Sequence, residues 1–302
     1  GYDRGFSAAL TAASSTIGNI IPPSIFMVVY GAIAGISIGG LFLSGIIPGI
    51  LVGLTQILYS YVYALRHNYG TVRCFPSLKE IFLAIRKGIW IVLMIVIVIG
   101  GITGGLYTAT EAAAISVVYV LLVGLLVYRS ITWKKIFEAA IQTAIMTATV
   151  LFAVATATLF SWLMSYYNAF DPVADFLIRY STSSEVFLLY VIGIFVLLGT
   201  FMDPVPAMII VVPIIVPIAE VLGVHGLLLG ILVVMALCVG KITPPYGISL
   251  LISCAIAEIP ISRAMKPTII LFVVFCLVMV IVVFAPELTL VIPRAIMPKL
   301  FL

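Results

Sequence analysis

The stretch Val239-Gly240-Lys241-Ile242-Thr243-Pro244-Pro245-Tyr246-Gly247 lies inside a long apolar segment, and Ile17-Gly18-Asn19-Ile20-Ile21-Pro22-Pro23-Ser24 repeats its core much earlier in the chain. A double proline removes two backbone donors and the neighbouring glycine frees φ, so a helix must open at each place. In hydrocarbon, opened backbone groups are costly unless protein covers them or they line a cavity. Two interrupted helices in corresponding positions are the sequence mark of a secondary transporter's binding site.

The correspondence extends beyond the prolines. At an offset of 222 positions Gly1 falls on Gly223, Gly18 on Gly240, Ile20 on Ile242 and Pro22-Pro23 on Pro244-Pro245. After a one-residue gap, Ala32-Ile33-Ala34-Gly35-Ile36-Ser37-Ile38 falls on Ala255-Ile256-Ala257-Glu258-Ile259-Pro260-Ile261. The chain therefore reads as two related halves. The first lacks a counterpart to the residues before Gly223, and the chain opens on Gly1, so we expect an N-terminally truncated piece of a longer polypeptide.

Hydrophobic residues make up 64% of the chain and charged ones 9%, against roughly 45–50% and 25% in a soluble domain. This is the composition of an all-α polytopic membrane protein. The net charge of +4 comes from basic residues in short connections beside apolar spans, which indicates topology and not nucleic acid. Cys74, Cys238, Cys254 and Cys276 have no CxxC or His-rich spacing, so they read as packing thiols.

Taken in order, residues 1–66 hold a broken helix followed by a scaffold span, Leu41 to Leu65. A straight helix from Asp3 to Gly35 would rise about 50 Å, against a hydrocarbon core of about 30 Å, and the break at Gly18 to Ser24 resolves the excess. Residues 67–88 form a basic, cytoplasmic connection in which Pro76 to Lys87 suits a short interfacial helix. Residues 89–302 then carry scaffold spans, a re-entrant hairpin over 185–222, a second broken helix over 227–257 and a last helix over 269–284. The hairpin's turn, Gly199-Thr200-Phe201-Met202-Asp203-Pro204, carries an acid. Arg263 and Lys266 follow the second broken helix, whereas the equivalent Gly35 to Gly40 is uncharged. Related halves with opposite charge bias imply inverted structural repeats.

Asp203 admits two readings: part of a sodium cage, or an N-cap for the helix opening at Pro204. Ser14-Ser15-Thr16, Thr200 and Thr243 stand at the breaks, and hydroxyls with freed carbonyls form a hard-oxygen set suited to Na⁺ and poor for transition metals. Each hydroxyl can equally bond back to its own helix. Glu111 reads as a first-turn carboxylate favoured by the helix dipole. Lys241 would repel Na⁺; it either meets a substrate carboxylate or points into a water-filled cavity. Arg4 and His225 read as interfacial anchors, with proton coupling by His225 as the second reading. No HExxH, GxSxG or P-loop occurs, so hydrolysis and ATP-driven transport lack support.

Leu10-Thr11-Ala12-Ala13, the first break, Val29-Tyr30-Gly31, Gly45-Ile46-Ile47-Pro48-Gly49, Thr110-Glu111-Ala112-Ala113, Met202-Asp203 and Gly240 to Gly247 together resemble the large membrane subunit (M, DctM-like) of TRAP transporters, the tripartite ATP-independent periplasmic family. The resemblance covers essentially the whole chain. It implies a fold of the ion-transporter superfamily, elevator type, in the bacterial inner membrane. It further implies Na⁺-coupled import of organic acids such as C4-dicarboxylates, sialic acids or sugar acids, with a small membrane subunit and a periplasmic substrate-binding protein as partners. Carried over by position, Thr16, Gly18 and Asn19 belong to one sodium site, and Gly199, Asp203, Gly240 and Thr243 to the other. Ser15, Thr200, Lys241 and Pro245 are expected on the substrate side, with no cofactor and no metal beyond Na⁺. Lys241 and Tyr246 depart from the apolar or small residues usual in that family, and Ala109 from a frequent proline. The alternatives are a stand-alone ion-coupled carboxylate symporter or antiporter, a passive channel, and a membrane-embedded enzyme, for which the sequence offers no paired acids or nucleophile–base set.

Overall fold

The computed structural model describes residues 1–69, 77–169, 183–243 and 247–301, with residues 172, 177 and 179–181 between them. Pro244, Pro245 and Tyr246 lie outside the described residues, and with them the expected substrate contact of Pro245. The same holds for Arg73, Cys74, Pro76 and Asp171, and for the side chains of Arg86 and Lys87. Among the described residues the regular structure is entirely helical. Six helices among the described residues are long and apolar enough to cross a membrane. The chain forms two compact units, residues 1–71 with 158–302, and residues 72–157.

In the larger unit the first broken helix is α1, Arg4–Ile17, and α2, Ile25–Ala34. Asp3 caps α1 by accepting from the Phe6 amide, and Ser24 caps α2 by accepting from Met27. Such caps satisfy amide donors that a helix start leaves open. A left-handed Gly35 ends α2, and α3, Ile38–Arg66, follows. Later come α7, Ser184–Phe201, and α8, Pro204–Val221, joined through Met202 and Asp203. The second broken helix is α9, Gly226–Gly240, and α10, Ile248–Ile256. Then α11 runs Ile261–Phe284 and α12 Glu287–Ile296, before a 3₁₀ turn at Pro298–Phe301.

The core is α9. Every residue from Leu227 to Gly240 is buried, as expected of a helix apolar on all sides. It lies against α7, α2, α3, α8, α11 and α12. In turn, α1 lies against α10 and α11, and α3 against α11 and α12. Small residues permit these approaches, as is usual between helices in lipid. A Cβ at Gly5 would fall 2.5 Å from the Arg263 carbonyl oxygen. An ion pair at the same end, Arg263 to Asp3 at 3.8 Å, is largely exposed and adds little.

The smaller unit contains α4, Leu78–Thr103, α5, Ala109–Leu122 with a π-helical extension Val123–Val127, and the greater part of α6, Trp133–Tyr166. The Tyr119 hydroxyl ties α5 to α4 by donating to the Trp90 carbonyl at 2.7 Å. Capping boxes start α4 at Ser77 and Glu80, and α5 at Thr108 and Glu111, so Glu111 serves the helix start as expected.

The helix boundaries differ from the sequence reading in three places. The short interfacial helix and the span after it are one helix, α4, because its start is firmly capped and the single Gly88 does not interrupt it. The last long helix begins at Ile261, eight residues before 269, since Pro267 sits within a helix whose other bonds hold. The tail is also helical as α12, with Arg294 bonded to Glu287 at 3.0 Å.

Candidate functional site

At the first break the hydroxyls turn back on their own helix. Ser15 Oγ donates to Ala12 O at 2.7 Å, and the buried Thr16 Oγ1 to Ala13 O at 2.6 Å. The same Ala13 carbonyl accepts the Gln56 amide from α3 at 3.2 Å, while the buried Gln56 Oε1 has no partner. Beyond Ile17 the chain tightens, with Asn19 N bonded to Thr16 O at 3.1 Å and Ile20 N to Ile17 O at 2.9 Å. The Ser24 hydroxyl donates to the Asn19 carbonyl and so closes the opening. The break is bedded on α3 at Gly45, where any Cβ would collide with the Ile20 carbonyl and Met27. Gly18 is exposed and Asn19 half-buried.

The second break is assembled alike. Ile242 N and the Thr243 hydroxyl both bond the Val239 carbonyl, at 3.1 and 2.9 Å. Across the opening, Ser249 N donates to Lys241 O at 3.1 Å and Gly247 N to Thr243 O at 3.0 Å. Gly199 near the end of α7 sits directly on Gly240 at the end of α9: a Cβ on Gly240 would come within 2.6 Å of the Gly199 carbonyl carbon. Next to Gly199, the Thr200 hydroxyl donates to Val196 O at 2.9 Å. The structure thus brings Gly199, Thr200 and Gly240 together from segments far apart in sequence.

Asp203 is exposed at the α7–α8 turn and caps α8, its Oδ1 accepting from Val205 N at 3.0 Å. Its second oxygen remains for another partner. The Lys241 ammonium lies over the Phe26 ring, 4.3 Å from its centroid, a distance at which the ring's quadrupole attracts a cation. One side chain of the second break therefore reaches the first turn of α2, just beyond the first break. No acid lies within ion-pair distance of Lys241 among the described residues.

Three residues escaped the sequence reading. Phe26 reads as an ordinary apolar helix position, and only its approach to Lys241 marks it. Gln56 is an amide in an otherwise apolar span, a visible signal, since an intramembrane polar group needs a partner. Tyr30 is wholly buried with its hydroxyl unpartnered, inside a motif noted only for its resemblance.

Interrupted apolar helices packed around hydroxyls, carbonyls and an ammonium define a multi-pass membrane protein. The chain belongs to the DctM component family of tripartite ATP-independent periplasmic transporters, whose family model matches residues 1–288. It is 34% identical over 299 residues to the C4-dicarboxylate TRAP transporter large permease protein DctM of Pseudomonas aeruginosa, covering 97% of this chain and 69% of that protein. To the sialic acid TRAP transporter large permease protein SiaM of Vibrio cholerae it is 34% identical, over 97% of this chain and 68% of the relative. A third relative, the isethionate TRAP transporter permease protein DctMQ of Oleidesulfovibrio alaskensis, is 35% identical over 95% of this chain and 45% of its own length. The chain thus spans between about half and two thirds of these proteins. The family is one of transporter subunits and not of enzymes, and this member is a multi-pass protein of the bacterial inner membrane.

Proposed function

We propose that the chain is part of the transmembrane subunit of a Na⁺-coupled secondary transporter that imports organic acids. Substrate would come from a periplasmic binding protein, with a small membrane subunit alongside, as the family's tripartite name and the names of its relatives suggest. The observation that carries this reading is the convergence of three backbone openings: Gly199 against Gly240, and Lys241 over Phe26.

Coupling ions would use the hard oxygens around Thr16, Gly18 and Asn19 at one break, and around Gly199, Asp203, Gly240 and Thr243 at the other. Every hydroxyl here donates its proton to a carbonyl, which leaves its oxygen lone pairs outward as acceptors, the requirement for Na⁺. An acidic substrate would be met by Lys241, with Ser15, Thr200 and Pro245 nearby.

Inverted repeats are supported by reciprocal packing, since α1 of the first half lies on α10 and α11 of the second while α9 lies on α2 and α3. The N-caps Asp3 and His225 and the left-handed residues Gly35 and Glu258 also fall at equivalent positions. In an elevator movement the broken helices and the α7–α8 hairpin would travel together against α3 and α11.

The test is uptake of labelled organic acids into proteoliposomes holding the complete permease and its small subunit, under an inward Na⁺ gradient, with and without the binding protein. Uptake that needs both is the expected result. Uptake driven by Na⁺ alone would favour a stand-alone symporter, and uptake indifferent to the gradient would overturn ion coupling.

A further inference from the structure

The smaller unit holds a feature to which the proposed transport reading assigns no role. Between α5 and α6 runs a cavity of about 920 Å³, walled by residues such as Val120, Leu121, Ala140, Ala144 and Leu151, with Lys135 at one end. From Lys135 to Leu151 the helix rises about 24 Å, more than the depth of one leaflet's hydrocarbon, about 15 Å. The Thr143 hydroxyl on this wall commits its proton to its own helix at Ala139 O, and apart from Thr143, Thr147 and Lys135 the lining residues are apolar. A groove of this length and chemistry matches an acyl chain.

The mouth is basic and firmly built. Ile131 packs against Gly124 of the π-helical segment, where any Cβ would displace it, and Ser130 N donates to Gly124 O at 3.0 Å. This fixes the turn that carries Arg129 and leads into the first turn of α6, where Lys135 sits. Lys135 Nζ donates to Ser130 O at 3.0 Å, committing one of its three protons. Lys134 is paired with Glu138 at 3.9 Å. Among the described residues no acid lies within ion-pair distance of Lys135 or Arg129. Trp133, exposed beside them, has the amphipathic ring favoured at headgroup depth.

We propose that this groove is a binding site for an anionic phospholipid, with an acyl chain between α5 and α6 and the phosphate at Lys135. Charge complementarity selects the occupant: a neutral apolar helix would leave the Lys135 ammonium unmatched at the mouth, whereas a phosphodiester supplies the missing charge and accepts its hydrogen bonds. Basic pockets between helices at the cytoplasmic surface are a general means of holding such headgroups.

The test is native mass spectrometry on the full chain, delipidated in detergent and titrated with phosphatidylglycerol or phosphatidylcholine of identical acyl chains. Phosphatidylglycerol should bind about fivefold more tightly, the preference worth one lysine at a membrane surface. Lys135→Gln should abolish that preference, while Lys299→Gln, an exposed lysine elsewhere, should keep it. Ala144→Phe should weaken both lipids by filling the groove. Should Ala144→Phe melt early without lipid, the Lys135→Gln result decides alone. Equal affinity for the two lipids in the unaltered chain overturns the proposal, as does a preference that survives Lys135→Gln. Complete loss of bound lipid on adding the small membrane subunit would also overturn it, by assigning the groove to that subunit's helix.

Discussion

Asp203 lets a structural role be separated from the transport role proposed for it. One oxygen caps α8, so Asp203→Ala should lower stability by about 1 kcal/mol, the usual value of a cap. Asparagine caps as well as aspartate, so Asp203→Asn should leave the melting temperature in detergent unchanged while weakening Na⁺ dependence of uptake. If Asp203→Asn transports with unaltered Na⁺ dependence, the residue is a cap alone. Gly240 faces a different constraint, because the atoms a methyl would meet belong to the Gly199 backbone and cannot swing aside. Gly240→Ala should cost about 1–3 kcal/mol through forced separation of α7 and α9. Gly193→Ala in α7, with open space around it, should be neutral or slightly stabilising in the same thermal assay. For Lys241, replacement by methionine keeps the bulk and removes the charge. The Michaelis constant for acidic substrates should rise with little change in folding, and an unmoved constant would take Lys241 off the substrate path.

At the scale of elements, the two breaks were legible because proline and glycine act locally: a missing donor opens a helix whatever surrounds it. The hairpin acid was legible for the same reason, since Asp203-Pro204 is a cap followed by proline at the first helical position. What the sequence hid is set by partners. Lys241 reaches Phe26 across more than two hundred positions, and no periodicity encodes that approach. The helix α12 was obscured by its length and by Pro293 within it; its docking on α3 and the Arg294–Glu287 pair offset a weak intrinsic tendency. Its neighbourhood yields a pH prediction. His225 caps α9 by accepting from Leu227 N at 3.2 Å through Nδ1, its ring stacked on Phe301 at 4.9 Å. Burial first, and the Arg294 charge second, hold its pKa below the ordinary 6.5. Glu220, Ser37 and Tyr30 border the cavity beside it, of about 310 Å³. Because the unfolded chain takes up the proton first, this part of the stability is complete above the unfolded value of 6.5 and is lost as pH falls through the window beneath it. A protonated ring also cannot accept the Leu227 amide. Melting temperature should therefore drop from about pH 7.5 to about pH 5.5 more in the unaltered protein than in His225→Asn, which caps without titrating in this range. Equal drops would remove His225 from the account.

At the scale of the whole larger unit, the first three helices are held more by the second half than by one another. The contacts of α1 fall chiefly on α10 and α11, and those of α3 on α11 and α12, while α9 threads between α2 and α3. In lipid the tails are as apolar as leucine, so the force between these helices is close packing, not exclusion of water. Close packing here rests on small residues at crossings, with Gly5 against the Arg263 carbonyl and Gly230 against Tyr30 and Leu41. Such an interlock does not need the covalent link between residues 69 and 77. Co-expressed fragments 1–69 and 77–302 should consequently assemble, and a tag on the first should recover the second from detergent. Gly5→Leu should reduce that recovery, because its Cβ would fall 2.5 Å from a backbone oxygen that cannot retreat. Recovery of the tagged fragment alone would mean that the basic connection, and not the interlocked helices, keeps the two halves together.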